Sequence, residues 1–261
     1  MKIIRYQKEA QVRRGILKNK EIYELEGDIF SDFSAGTKKA ELEDVKLLAP
    51  VVPPNIIAIG LNYRQHAVET GAEIPERPVV FLKASSSLND PNSEIILPQL
   101  APDEVDFEAE LAVVIAKKAK NIETVEADDY ILGYSCANDV SARDCQKRLD
   151  KQWARAKSFD TFCPLGPWIE TELNPDNLSI KSILNGEIMQ NSKTSDMIFN
   201  VEQLISYLSH NMTLLPGTVI LTGTPEGVGF AREDQIFLRD GDQITIEIEG
   251  IGSLTNTIRK E

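Results

Sequence analysis

Two glutamates stand one residue apart in the run VDFEAELAVVI. If that run is a strand, Glu108 and Glu110 leave one face, and Phe107, Ala109 and Leu111 leave the other. At a rise of ~3.3 Å per residue the two carboxylates start about 7 Å apart, so both can lean onto one cation. Hard oxygen donors of this kind suit Mg²⁺ or Mn²⁺, with Ca²⁺ admissible. Taken alone, Glu-x-Glu equally describes a solvent-facing strand. A third acid, Asp139, ends the apolar stretch of YSCANDVSARDCQ and offers another oxygen ligand. Ser141 and Asp144 then have the spacing of a helix start. This places Arg143 and Gln146 on one turn near Asp139, although Arg143 is also readable as a surface residue.

The chain has two histidines, and His66 lies three residues before Glu69 in GLNYRQHAVETG, a spacing that pairs them on a helical turn. A carboxylate on one imidazole nitrogen fixes the tautomer and raises the basicity of the other, as a general base requires. A surface His–Glu pair is the alternative. His210 falls on the polar side of a helix and receives no role. Lys157 in WARAKSFDTFCPLGP adds a cation, and the glycines of LTGTPEGVG permit a tight loop after a strand. There the Gly223 backbone and the Thr224 hydroxyl are candidates for binding a substrate carboxylate. The run is neither a Walker loop nor a dinucleotide fingerprint, because no GK[ST] follows and the GxGxxG spacing is missing.

These groups need elements to position them. The patterned runs MKIIRYQ, RRGILKN and EIYELEG read as small β-hairpins, and APVVPPN marks a junction, so residues 1–48 form a small β module ahead of a domain at 49–261. Beyond it, Ile56–Gly60, Pro78–Lys83, Phe107–Ile115, Thr218–Thr222 and Gln243–Glu249 read as strands, the last entered through a turn at Asp240–Gly241. The clearest helix takes Ser195 as its N-cap and carries an apolar stripe from Met197 to Met212 before Pro216-Gly217 stops it. Many strands and few helices predict an α+β, β-rich fold.

A net charge of −13, from 41 acidic and 28 basic side chains, argues against nucleic acid or an anionic membrane as partner. An anionic substrate would need a local basic pocket or a metal. The start lacks an apolar signal core, and no apolar run approaches the ~20 residues that span a bilayer, so a soluble, cytoplasmic protein is expected. Cys136, Cys145 and Cys163 are read as buried small hydrophobes, since none sits in a CxxC pair.

The runs GLNYRQHAVETG, DFEAELAVVI, NDVSARDCQ, KSFDTFCPLGP, NGEIMQ and LTGTPEGVG, in this order, resemble the fumarylacetoacetate hydrolase family over roughly residues 55 to 258. The first module resembles the small β domain carried by some bacterial members. The resemblance implies a mixed β-roll, a homodimer, and Mg²⁺ or Mn²⁺ held by Glu108, Glu110 and Asp139. It further implies a short lid that delivers His66 and Glu69, with Arg143, Gln146, Lys157 and Thr224 polarising the substrate. That substrate would be a small anionic 2-oxo acid turned over through a metal-stabilised enolate. The implied reactions are C–C hydrolysis of acylpyruvate- or fumarylpyruvate-type acids or decarboxylation of oxaloacetate. Isomerisation of 2-hydroxyhepta-2,4-diene-1,7-dioate, as in aromatic catabolism, or an oxo-acid tautomerisation is the alternative. A non-catalytic metal-binding module is the alternative of a different class.

Overall fold

The run AELAVVI is buried at every position, which requires a strand flanked on both edges and covered on both faces. The computed structural model, which describes residues 1–261, places this strand, Ala109–Ile115, inside a twelve-stranded sheet. It pairs antiparallel with Ile131–Asn138 on one side and Val219–Leu221 on the other. Next to Val219–Leu221 lies Ile56–Gly60, paired in parallel, and Val79–Lys83 closes that edge. A second sheet of five strands contains Gln243–Ile248, whose alternating burial is that of a strand with one face in a core.

Residue alternation divides the core between two faces. Leu111 and Val113 join Ile244, Ile246 and Ile248 of the smaller sheet. Ala112 and Val114 face the other way, toward Ile3, Ile29 and Val51. Glu110 belongs to this second face, so its carboxylate is carried into the protein by the register of a central strand. The architecture is the expected β-rich α+β one. No helix is long and apolar enough to cross a membrane. All three cysteines are free and buried.

The first strands form a meander, Lys2–Lys8, Gln11–Lys18, Glu21–Gly27 and Phe33–Glu41. This module is continuous with the large sheet, because Lys2 and Ile3 pair with Glu170 and Ile169 of the strand Cys163–Glu170.

Three local expectations are corrected. The helix does not start at Ser195: Thr194–Asp196 is a single 3₁₀ turn, Ser195 Oγ bonds Asn177, and the α-helix is Val201–Asn211, capped by Asn200 with Gln203 as its reciprocal partner. The backbone between them is committed elsewhere. Met197 bridges Tyr63, and the Ile198 and Phe199 N–H groups donate to the carbonyl and side chain of Asn62. The strand expected over Phe107–Ile115 is interrupted, with Val105–Asp106 pairing with Ser141–Ala142 and regular pairing in the central sheet resuming at Ala109. Ser141 is therefore in a strand and donates to the Asp139 carbonyl, while Asp144 caps the turn Cys145–Leu149.

Asn62 ties the segment after Ile56–Gly60 to two others. Its Nδ2 donates to the Thr222 carbonyl at 2.7 Å and the Phe199 carbonyl at 3.0 Å, and its Oδ1 accepts from Phe199 N–H at 2.9 Å, all in a fully buried position. Asn62→Ala orphans these groups and is expected to lower the unfolding free energy by about 2–4 kcal/mol. Urea denaturation should show a lower midpoint at an unchanged slope.

Candidate active site

Ile56–Gly60 feeds Leu61, held at a left-handed φ of 49°, and then the helix Arg64–Thr70. A leucine keeps that backbone only where its surroundings fix it, and the Asn62 bonds do so. Arg64 donates to the Asp196 and Met197 carbonyls, and Gln65 N–H donates to Asp196 Oδ2, so the helix is pinned at its start. His66 Nδ1 lies 3.1 Å from Glu69 Oε2. An Nδ1–H donated to that carboxylate leaves Nε2 as the basic nitrogen.

Glu108, Glu110 and Asp139 each place an oxygen within 4.8 Å of the others, and all three are buried. Lys157 Nζ lies 2.6 Å from Glu108 Oε2 and 2.5 Å from Asp139 Oδ2. Lys83 Nζ lies 2.5 Å from Asp139 Oδ1 and donates to the Phe162 carbonyl. Arg143 Nη2 is 2.7 Å from Glu108 Oε1 and 2.8 Å from Asp106 Oδ2, within ion-pair distance but without hydrogen-bond geometry to either. Arg143 Nε does bond Asp106, at 2.9 Å, and Nη1 bonds Gln146 Oε1 at 2.9 Å. The expected adjacency of Arg143 and Gln146 therefore holds, on a different kind of turn.

Burial alone would push the Glu108 carboxyl up, but Lys157 and Arg143 outweigh it and bring it down to about 2. Glu110 moves the opposite way: burial, then Asp139 and Glu108, raise its carboxyl well above the usual range. Burial opposes the Lys157 charge, yet Asp139 and Glu108 hold its pKa above the ordinary value. Four buried acids, Asp106, Glu108, Glu110 and Asp139, thus meet three buried bases, Lys83, Arg143 and Lys157. The acid left without a basic partner is Glu110, one member of a set of hard oxygen donors. A divalent cation fits that set, and soft-ligand metals do not.

The loop LTGTPEGVG holds carboxylates, as its sequence suggests, but they are the protein's own. Gly223 N–H donates to Glu110 Oε2 at 2.7 Å, Gly227 N–H to Glu69 Oε1 at 2.9 Å and Gly229 N–H to Asp106 Oδ1 at 2.8 Å. The Gly223 amide, expected to bind substrate, is bonded to Glu110 in this structure. Positive φ values of 98° at Gly223 and 95° at Gly227 aim these amides, and a Cβ at Gly227 would meet the Met189 carbonyl at 2.3 Å. Thr224 faces the cavity, its Oγ1 accepting from Gln190 Nε2 at 2.8 Å.

The cavity has a volume of about 330 Å³, at the small end of ligand sites. His66, Glu108, Glu110, Arg143, Gln146, Lys157 and Thr224 line it, together with Phe81, Trp153 and Phe230. Asp139, Glu69 and Gly223 stand behind that lining, each bonded to a residue of the site. Sequence reasoning missed Asp106, Lys83 and Gln190. Asp106 continues the alternation of Glu108 and Glu110 and was findable by the same rule. Lys83 ends an apolar strand like any surface lysine, and only the fold shows it to be buried.

A family description, fumarylacetoacetate (FAA) hydrolase C-terminal, matches residues 55–259, and a second, Rv2993c-like N-terminal, matches residues 1–50. The chain belongs to the fumarylacetoacetate hydrolase family of enzymes. It is 47% identical to the mitochondrial oxaloacetate tautomerase Fahd2a of Rattus norvegicus, over 82% of this chain and 69% of that one. The crystal structure of 5-carboxymethyl-2-hydroxymuconate delta-isomerase from Mycobacterium smegmatis is 41% identical with a TM-score of 0.91, covering 100% of both chains. The solved structure of a fumarylacetoacetate hydrolase from Exiguobacterium antarcticum is 34% identical with a TM-score of 0.92, again over 100% of both. Membership in a family of enzymes answers the alternative of a non-catalytic metal-binding module.

Asp106 is fully buried and accepts from Arg143 and from the amides of Phe107, Gly229 and Phe230. Asp106→Ala leaves Arg143 with Glu108 as its only acidic partner and orphans three amides, so it is expected to cost about 3–5 kcal/mol of stability. Chemical denaturation measures this, and wild-type stability in the variant would show that Arg143 does not depend on Asp106.

Proposed function

We propose that this chain is a divalent-metal-dependent enzyme that interconverts tautomers of a small 2-oxo dicarboxylic acid by moving a proton at the carbon beside the oxo group. The observation that carries the reading is one cavity lined both by a carboxylate-backed imidazole, His66 with Glu69, and by the Glu108–Glu110 side of the acidic cluster. The tautomerase and isomerase relatives are named for reactions that move protons, and the acids in the three relatives' names carry at least two carboxylates.

A Mg²⁺ or Mn²⁺ ion held by Glu108, Glu110 and Asp139 would supply Lewis-acid polarisation of the 2-oxo oxygen. His66 Nε2 takes the proton from the neighbouring carbon and delivers it to the oxo oxygen to give the enol, the reverse transfer regenerates the keto acid, and Glu69 stabilises the imidazolium formed in between. Lys157 and Arg143 place positive charge where the enolate oxygen develops. Gln146 and Thr224 orient the substrate carboxylate from the cavity wall. Gly223 acts behind them by holding Glu110. The same base could activate a water for attack on a β-carbonyl; the likeness to the E. antarcticum hydrolase favours this C–C hydrolysis as the second reading. The proposal includes two units, 1–48 and 49–261, supported by family matches that end at residue 50 and begin at residue 55. It also includes a homodimer, supported by Val79 and Leu82, exposed apolar residues on an edge strand.

The test is to follow the enol-to-keto change of oxaloacetate, and pyruvate release from acylpyruvates, with Mg²⁺ and Mn²⁺. His66→Ala should lower kcat by about 10²–10⁴-fold while metal affinity stays within about twofold. Equal loss of both would remove His66 as the base, and pyruvate release without tautomerisation would turn the assignment to hydrolysis.

Glu110 binds a cation as the carboxylate, whereas its raised pKa favours the acid. Metal uptake therefore displaces a proton, and affinity rises with pH until Glu110 is fully ionised. Calorimetry in two buffers of different ionisation enthalpy should detect that proton. Buffer-independent heats would mean Glu110 is already ionised.

A further inference from the structure

The cavity holds one cation that neither the acidic cluster nor the proton transfer uses. Arg143 and Lys157 are paired with carboxylates and His66 with Glu69. Lys147, on the same turn as Gln146, lines the cavity without an acidic partner. Its Nζ sits 3.4 Å from the centroid of the Phe230 ring, which the Arg143 guanidinium also approaches, at 4.3 Å. The ring face attracts the ammonium but leaves all of its N–H donors unspent. Burial and the Arg143 charge both press the Lys147 pKa below its ordinary value, so the positive charge there is undercompensated. In a chain of net charge −13, an exposed lysine with no acidic partner on the wall of this cavity presents a docking point for an anion.

We infer that Lys147 is a specificity-determining residue that takes the distal carboxylate of the substrate and so selects 2-oxo dicarboxylates over 2-oxo monocarboxylates. This rests on the proposed 2-oxo acid reading. The 2-oxo carboxylate end is engaged deeper in the cavity, by the groups around Glu108 and Glu110, and the other end then faces the rim. Phe230 supplies the ring face that keeps the ammonium at this wall of the cavity.

Acids of equal length that differ only in a terminal carboxylate test this: 2-oxobutanoate against oxaloacetate, and 2-oxopentanoate against 2-oxoglutarate. Their dissociation constants are measured in saturating Mg²⁺ for wild type, Lys147→Met, which keeps the apolar stem, and Lys147→Arg, which keeps the charge. Wild type should prefer a dianion, Lys147→Met should reduce that preference about tenfold or more, and Lys147→Arg should retain most of it. Equal weakening of both members of a pair by Lys147→Met overturns the inference, and so does an unchanged preference. If wild type binds mono- and dicarboxylates alike, only the role of Lys147 falls. If it binds none of the four acids, the 2-oxo acid reading falls, and the inference with it.

Discussion

Three carboxylate side chains packed within 4.8 Å of one another, away from water, repel, and that repulsion must be offset for the chain to fold. Much of the surrounding structure does so. Lys83 and Lys157 approach Asp139 from two sides, and Arg143 joins Lys157 on Glu108. Glu110 is left with a single backbone amide. The outcome is uneven, with Glu108 strongly ionised and Glu110 held toward the protonated form, so a small cation would take the place of a proton at Glu110. A well-packed apolar core elsewhere makes this affordable: the central strand is covered on both faces, and its burial opposes the cost of the charges it carries.

The glycine loop after Val219–Leu221 organises the remainder. Its amides reach a candidate metal ligand, the partner of the candidate base and the partner of the candidate substrate arginine. These contacts fall on residues far apart in the chain, so one loop conformation sets three side chains at once. Short backbone donors also leave the cavity volume free, which longer side chains in those roles would fill.

Much of this was legible in the sequence because strand alternation and helical spacing are local. Glu108 and Glu110 could be placed on one side of a run, and His66 and Glu69 on one turn, from residue periods alone. The ordered motifs supplied the rest of the site and the fold. What stayed hidden depends on partners distant in sequence. Nothing near Lys83 marks it as buried, and nothing near Gly223 says that its amide belongs to Glu110. The stripe from Met197 reads as helix because its spacing is helical, but Asn62 and Tyr63 claim the backbone of residues 197–199. Tertiary hydrogen bonding there overrides the local pattern.

The parallel pairing of Ile56–Gly60 with Val219–Leu221 has a mechanical meaning. Two parallel neighbours release their chains at the same end, so the His66 helix and the glycine loop emerge side by side and meet through Glu69 and Gly227. Backbone from one segment therefore holds the carboxylate that pairs the imidazole of the other, and a change in either segment alters how well that imidazole is aimed.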